Sequence, residues 1–182
     1  MKLWLVRHAV LPIAAGTCYG RTDMPADDAA TQRAAAELAA QLAQGIALRS
    51  SPLQRCEQLA NALCELRPDL HCDRDARLAE LDFGAWEGQS WQAIGEPAVT
   101  AWTNNFWLHA PGGGETLKSL MARVGQLWDE AITADRDCAW ITHDGVIRAA
   151  GLIAQGRRDA LEASDWPLQS QAFGSWKVLE AR

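Results

Sequence analysis

LVRHAV, residues 5–10, brings a run of apolar residues to an end on an arginine and a histidine. The run, Leu3 to Val6, has the composition of a short buried strand. Strands end at the surface and surfaces are polar, so a single such pair says little about function. The same event recurs twice more along the chain. IALRSS (46–51) ends on two serines, with Arg55 one turn into the helix that follows, and CAWIT (138–142) runs into His143, Asp144 and another helix start. Three strands therefore deliver Arg7, His8, Ser50, Ser51, Arg55, Thr142 and His143 to their carboxyl ends.

Between these strands the apolar period changes to that of helices. The pattern predicts helices over 29–44 (closed by Gly45), 53–66 (with Pro52 at the favoured opening position), about 90–107, 115–133, and after Asp144. Shorter apolar runs at 70–73 and 172–180 read as further strands. Strands alternating with helices imply an α/β fold, three layers α/β/α around a mostly parallel sheet. Sites in such sheets form at the carboxyl ends of the strands. The polar residues gathered above then face one crevice.

With 182 residues, 48% of them hydrophobic, the chain reads as one domain, 1–182. A Gly- and Trp-rich segment at about 78–114 forms a small cap. A net charge of −6 and a pI near 5.2 argue against a nucleic-acid or anionic-membrane surface. The partner expected is a small-molecule anion held by a local cluster of cations. No stretch approaches ~18 consecutive apolar residues, and the opening run is too short for a signal peptide, so a cytoplasmic protein is expected. The five cysteines (18, 56, 64, 72 and 138) form no CxxC pair and read as reduced thiols. His71 and Cys72 alternate across a strand, which is poor ligand geometry, so neither metal nor cofactor is expected. Nothing in the sequence specifies an oligomeric state.

Two guanidinium forks suit phosphate oxygens, and the helix starts after residues 52 and 144 add backbone donors. A neutral imidazole among them is a nucleophile toward phosphorus, and nearby arginines disfavour its protonation. A second histidine donates to the transferring oxygens. The leaving alkoxide needs a proton, for which LAELDFGAWEG (78–88) offers Glu80, Asp82 and Glu87.

These residues resemble the histidine phosphatase superfamily, the phosphoglycerate-mutase-like group. The match runs through LVRHA (5–9), YGRTD (19–23), SSPLQRC (50–56), LAELDFGAWEG (78–88), PGGGETL (111–117) and ITHDGVIR (141–148), in that order. The resemblance implies a phosphohistidine at His8 and phosphoryl contacts from Arg7, Arg55 and His143. It also implies Glu80 as the general acid, with Arg21 and Glu115 on the substrate side. CYGRTD, DFGAWEG and the short length are most similar to the alpha-ribazole phosphatases, which implies alpha-ribazole 5′-phosphate and cobalamin biosynthesis. Two positions depart from the pattern: Ala9 where glycine is usual, and Asp144 where glycine or alanine is common. A carboxylate at 144 weakens phosphate binding unless it points away or pairs with Arg148.

Blander roles are expected elsewhere. His71 and His109 read as surface residues, Cys18 as a small loop residue, and Asp82 and Glu87 as structural carboxylates. Of the nine tryptophans, Trp4, Trp128 and Trp140 fit the core. Trp86, Trp91, Trp102 and Trp107 crowd the segment overhanging the site, where they either receive a flat heteroaromatic ligand or fill the cap. Three functional readings follow: a phosphomonoesterase; a mutase-type phosphoryl transferase or phosphohistidine-protein phosphatase; and a phosphate-binding module without turnover. The complete set of nucleophile, clamps and acid favours the first.

Overall fold

A computed structural model describes residues 1–180. Four strands run parallel: β1 (Lys2–Arg7), β2 (Ala47–Ser50), β3 (Cys72–Arg74) and β4 (Cys138–Thr142). The fifth, β5 (Trp176–Glu180), pairs antiparallel with β1, and the sheet order is β3-β2-β4-β1-β5. Register places Arg7 beside Thr142 and Ser50 beside Ile141, so β2, β4 and β1 end side by side.

Alternation along the strands supplies the two faces. Leu3, Leu5 and Trp140 pack with α5 (Leu117–Ala134) and α6 (Asp144–Ala154). Val6, Leu48, Ala139 and Ile141 point the other way, against α1 (Asp28–Ala39) and α2 (Gln54–Leu66). The central strand β4 is buried at every position, as a strand covered on both sides must be. The result is the three-layer α/β/α arrangement with a mostly parallel sheet.

Several boundaries differ from the sequence expectation, each for a local reason. The first helix stops at Ala39, and Gly45 lies beyond it in the turn before β2. Its end is held from a distance: Arg67, just past α2, donates to the carbonyl of Ala39 and to those of Leu42 and Ala43 in the turn beyond. Pro52 precedes the second helix rather than opening it, since Leu53 is the N-cap. The side-chain cap comes from Asp23, which accepts from the Gln54 backbone N–H at 2.8 Å. The segment 90–107 is two helices, α3 (Trp91–Ile94) and α4 (Glu96–Asn104), broken at Gly95 with φ +82°. The strands read at 70–73 and 172–180 are the shorter β3 and β5. Trp128 and Trp140 are core residues, while Trp4 is half-buried against Trp176.

DFGAWEG and PGGGETL owe their glycines to each other. A Cβ on Gly84 would sit 2.3 Å from the Gly112 carbonyl oxygen, and one on Gly112 would sit 2.1 Å from that of Phe83. Both residues also have positive φ, so any side chain there meets strain and a clash together.

Candidate active site

His8 leaves β1 with a backbone N–H bond to the Thr142 carbonyl at 3.2 Å, and it is 2% exposed. Its Nδ1 lies 2.7 Å from the Ala9 carbonyl oxygen, which can only accept, so Nδ1 carries the proton and Nε2 the lone pair. Burial, then the charge of Arg55, with Arg7 adding, pushes the imidazole down to about 3 against the opposing bond to Ala9. At neutral pH the ring is uncharged and nucleophilic.

Behind it, His143 and Arg55 are fully buried. Arg55 Nε–H donates to His143 Nδ1 at 3.2 Å, so the His143 proton sits on Nε2, 2.8 Å from Ser51 Oγ. The Arg55 terminal nitrogens donate to the carbonyls of Thr22 at 2.8 Å and Gly20 at 2.5 Å. Each nitrogen retains one further N–H. The two imidazoles lie 5.1 Å apart, centroid to centroid. Burial and Arg55 hold His143 well below the ordinary histidine range.

Arg7 lies flat against Phe173, its guanidinium carbon 3.9 Å from the ring centroid. It donates to the Gln171 carbonyl and approaches Asp144 Oδ1 at 3.7 Å. Glu80 accepts from the backbone N–H of Leu81 at 2.9 Å and of Gly145 at 3.0 Å. Burial raises its carboxyl above the ordinary value, against those two bonds. A Cβ at position 145 would stand 2.3 Å from Glu80 Oε1, so glycine there lets the carboxyl reach the start of α6.

A cavity of about 450 Å³ opens over this floor. Its polar end is formed by Arg7, His8, Glu80, Asp144, Arg148 and Ser170. Its other walls include Phe83, Trp91, Trp102, Phe106 and Trp166. The indoles of Trp91 and Trp102 are parallel within 8° with centroids 6.5 Å apart, and Phe83 meets both edge-on. Among the described residues the Trp102 indole N–H is buried without a partner.

Arg7, His8 and Glu80 thus share the cavity with the aromatic wall, while Arg55 and His143 stand behind the nucleophile. Three residues expected on the substrate side do not line the cavity. Glu115 is taken by Arg123, through bonds of 2.7 and 2.8 Å. Arg21 turns to the Glu80 carbonyl and to Glu115, 3.5 Å away. Trp86 packs edge-on to Trp91 and Trp102 from outside. Trp107 instead joins the core around α5, and Trp166 takes a place on the wall that the sequence did not signal.

Glu87 is structural, accepting from the backbone of Arg21, Thr22 and Phe83. Asp82 accepts from the Gly84 N–H. His71 is exposed, His109 is half-buried, and Cys18 is a buried loop residue. Sequence reading missed Arg123, which donates to the carbonyls of Arg77, Ala79 and Glu80 and fixes the chain that carries the acid. Its signal is an arginine on the otherwise apolar stripe of α5, visible only once the partner segment is known. Among the described residues no group of three or more His, Cys, Asp and Glu is arranged to hold a metal ion, and no helix is long and apolar enough to cross a membrane.

Residues 3–175 match the model of the histidine phosphatase superfamily, branch 1. The chain belongs to this superfamily. No curated protein matches its sequence. Among solved structures it is similar to a mycobacterial glucosyl-3-phosphoglycerate phosphatase, with a TM-score of 0.81 and 26% identity over 97% of this chain and 88% of that one. The same mycobacterial enzyme in complex with VO3 gives the same score and identity, over 98% and 92%. The protein TTHB049 from Thermus thermophilus matches with a TM-score of 0.73 and 27% identity, over 99% and 94%. This histidine phosphatase superfamily member is a phosphoric monoester hydrolase.

Proposed function

We propose that the protein hydrolyses a small phosphomonoester through a phosphohistidine on His8, and that the alcohol it releases carries a flat aromatic ring. The observation that carries the chemistry is the His8 tautomer. With Nδ1–H tied to the Ala9 carbonyl, the Nε2 lone pair is free to attack phosphorus. The P–O ester bond breaks as the P–N bond forms, and the leaving oxygen takes the Glu80 proton. Glu80, now a carboxylate, accepts a proton from water whose oxygen displaces His8. Inorganic phosphate leaves and both groups return to their starting states.

Arg7, Arg55 through its remaining N–H groups, and His143 are assigned to the phosphoryl oxygens. The guanidinium groups provide a cationic field at the reacting group, so activity should survive dialysis against excess EDTA. Loss that Mg²⁺ or Zn²⁺ restores would count against this site.

For the substrate, the aromatic wall supports an ester with an extended ring, and the similarity of CYGRTD and DFGAWEG to alpha-ribazole phosphatases makes alpha-ribazole 5′-phosphate the first choice. The role belongs to cobalamin biosynthesis and the setting to the cytoplasm. The deciding measurement compares kcat/KM for alpha-ribazole 5′-phosphate, ribose 5-phosphate and 3-phosphoglycerate. A tenfold preference for the ring-bearing ester, about 1.4 kcal/mol of transition-state binding, is expected. Equal rates would leave a broad phosphatase, and interconversion of phosphoglycerates without phosphate release would make the protein a mutase.

A further inference from the structure

Asp144 stands where the superfamily pattern commonly has glycine or alanine, and it makes more polar contacts than a surface carboxylate at a helix start needs. Oδ2 pairs with Arg148 at 2.6 Å and accepts from Ser170 Oγ at 3.0 Å. Oδ1 accepts from the Gln171 backbone N–H at 3.0 Å and lies 3.7 Å from Arg7. The side chain is 14% exposed, and it lines the cavity together with Arg7, His8 and Arg148. It is therefore inside the site, between two guanidinium groups.

Those two groups have capacity left over. Among the described residues, Arg7 Nε and Arg148 Nε are both buried without a hydrogen-bond partner. Two arginines on one cavity wall, one beside the nucleophile and one a step further out, would hold a substrate carrying two anionic groups. Asp144 cancels one of these charges. Arg7, Arg148 and Asp144 together carry a net charge of +1, which with the buried Arg55 behind His8 serves the dianionic phosphoryl group and leaves none of these cations free for a second anion.

We propose that Asp144 is a charge filter: by occupying Arg148 and the outer side of Arg7, it restricts the site to phosphomonoesters without a second anionic group near the phosphoryl end. The leaving groups admitted are neutral and, by the rest of the wall, apolar or aromatic. Esters with a neighbouring carboxylate or second phosphate meet a carboxylate already in place, itself largely buried in the cavity wall. The proposal rests on the phosphomonoesterase reading for its substrate class. It places the determinant of specificity at a residue that takes no part in the bond-making steps.

The test uses a matched pair, glycerol 3-phosphate and 3-phosphoglycerate, which differ in a hydroxymethyl group against a carboxylate. Dissociation constants are measured by calorimetry in a His8→Ala background, and kcat/KM in the parent chain, for Asp144, Asp144→Asn and Asp144→Gly. The unmodified Asp144 should favour glycerol 3-phosphate. Both substitutions should move the ratio at least tenfold toward 3-phosphoglycerate, and adding Arg148→Met to Asp144→Asn should abolish that gain. Asparagine keeps one carbonyl oxygen for the Gln171 backbone N–H and gives up the acceptor facing Arg148 and Ser170, so it removes the charge while retaining the loop contact. A ratio that moves in Asp144→Gly and stays fixed in Asp144→Asn overturns the filter, as does one that stays fixed in both. Failure of the parent chain to release phosphate from either ester would instead strike the hydrolase reading, and the binding ratio would still decide the filter.

Discussion

The floor and the wall of the cavity are built on different principles. On the floor, His8, Arg55 and His143 are almost wholly buried, and each is oriented by a named partner: the Ala9 carbonyl, the Thr22 and Gly20 carbonyls, Ser51. The elements beneath them are the ends of three adjacent strands and the first turn of a helix. The wall is made of rings from two short helices and three loops, meeting mostly edge-on, and Trp91 is 37% exposed. A polar floor needs each donor and acceptor satisfied in one geometry. An aromatic wall needs only area and shape. The chemistry is thus fixed by a few unforgiving positions, and the choice of substrate by many tolerant ones.

The largest effect expected from breaking the floor is at His8. His8→Ala should lower phosphomonoesterase activity by roughly 10⁴-fold or more, because no other side chain on the cavity takes over as nucleophile. With labelled substrate, rapid quench should trap an alkali-stable, acid-labile phosphoenzyme in the parent protein and none in the variant. Label retained by the variant would move the nucleophile elsewhere.

Glu80 gives the next largest effect, and one that depends on the substrate. Glu80→Gln should slow alkyl phosphates by about 10²–10⁴-fold, the usual worth of general acid catalysis. For p-nitrophenyl phosphate, whose leaving group hardly needs a proton, the loss should be far smaller. Equal losses on both would assign the proton transfer to another group.

What the sequence made legible follows the same division. Arg7, His8, Arg55 and His143 stand at strand and helix ends, where an apolar run stops abruptly on a polar residue, and local reading finds such breaks. Glu80 stood out as one of three carboxylates, and the separation of roles came only with Gly145 and Leu81 as its donors and Arg123 beneath its backbone. Composition announced the wall through its tryptophans but did not assign their places. Trp107 went to the core and Trp166 to the cavity because the turn at Gly95 and the distant loop after α6 set their directions. The misplaced end of the first helix has a similar cause. Arg67, more than twenty residues away, satisfies the Ala39 carbonyl and holds the turn beyond it, and no signal within the helix records those bonds.

The wall should yield smaller and more selective effects. Trp91→Ala and Trp102→Ala should each lower kcat/KM for alpha-ribazole 5′-phosphate by roughly tenfold, about 1.4 kcal/mol. Ribose 5-phosphate, which lacks the ring, should change by less than about twofold. Because the two indoles stack on one another, the double variant should lose less than the product of the single losses. A uniform loss on both esters would mean that the wall supports the fold rather than the ligand.

The smallest effect is thermodynamic and comes from the floor alone. His8 is pushed down to about 3 and His143 lies well below its ordinary value, both chiefly through burial. In the unfolded chain each titrates near ~6.5. Between those values the unfolded state binds protons that the folded state refuses, so stability rises with pH through this window and is lost as pH falls. Glu80 works in the opposite sense, since its raised carboxyl takes up a proton more readily in the folded state. The depressed carboxylates of Asp75, Asp129 and Glu130 add acid sensitivity only below about pH 4.5, where unfolded carboxylates begin to protonate. The interval from pH 5 to 6.5 therefore isolates the two histidines against Glu80. Urea midpoints across it should fall with acidification, and His8→Gln, which keeps a polar side chain without the titration, should flatten the slope. A slope equal to that of the parent protein would mean that His8 is protonated in the folded chain, and the neutral nucleophile would have to be abandoned.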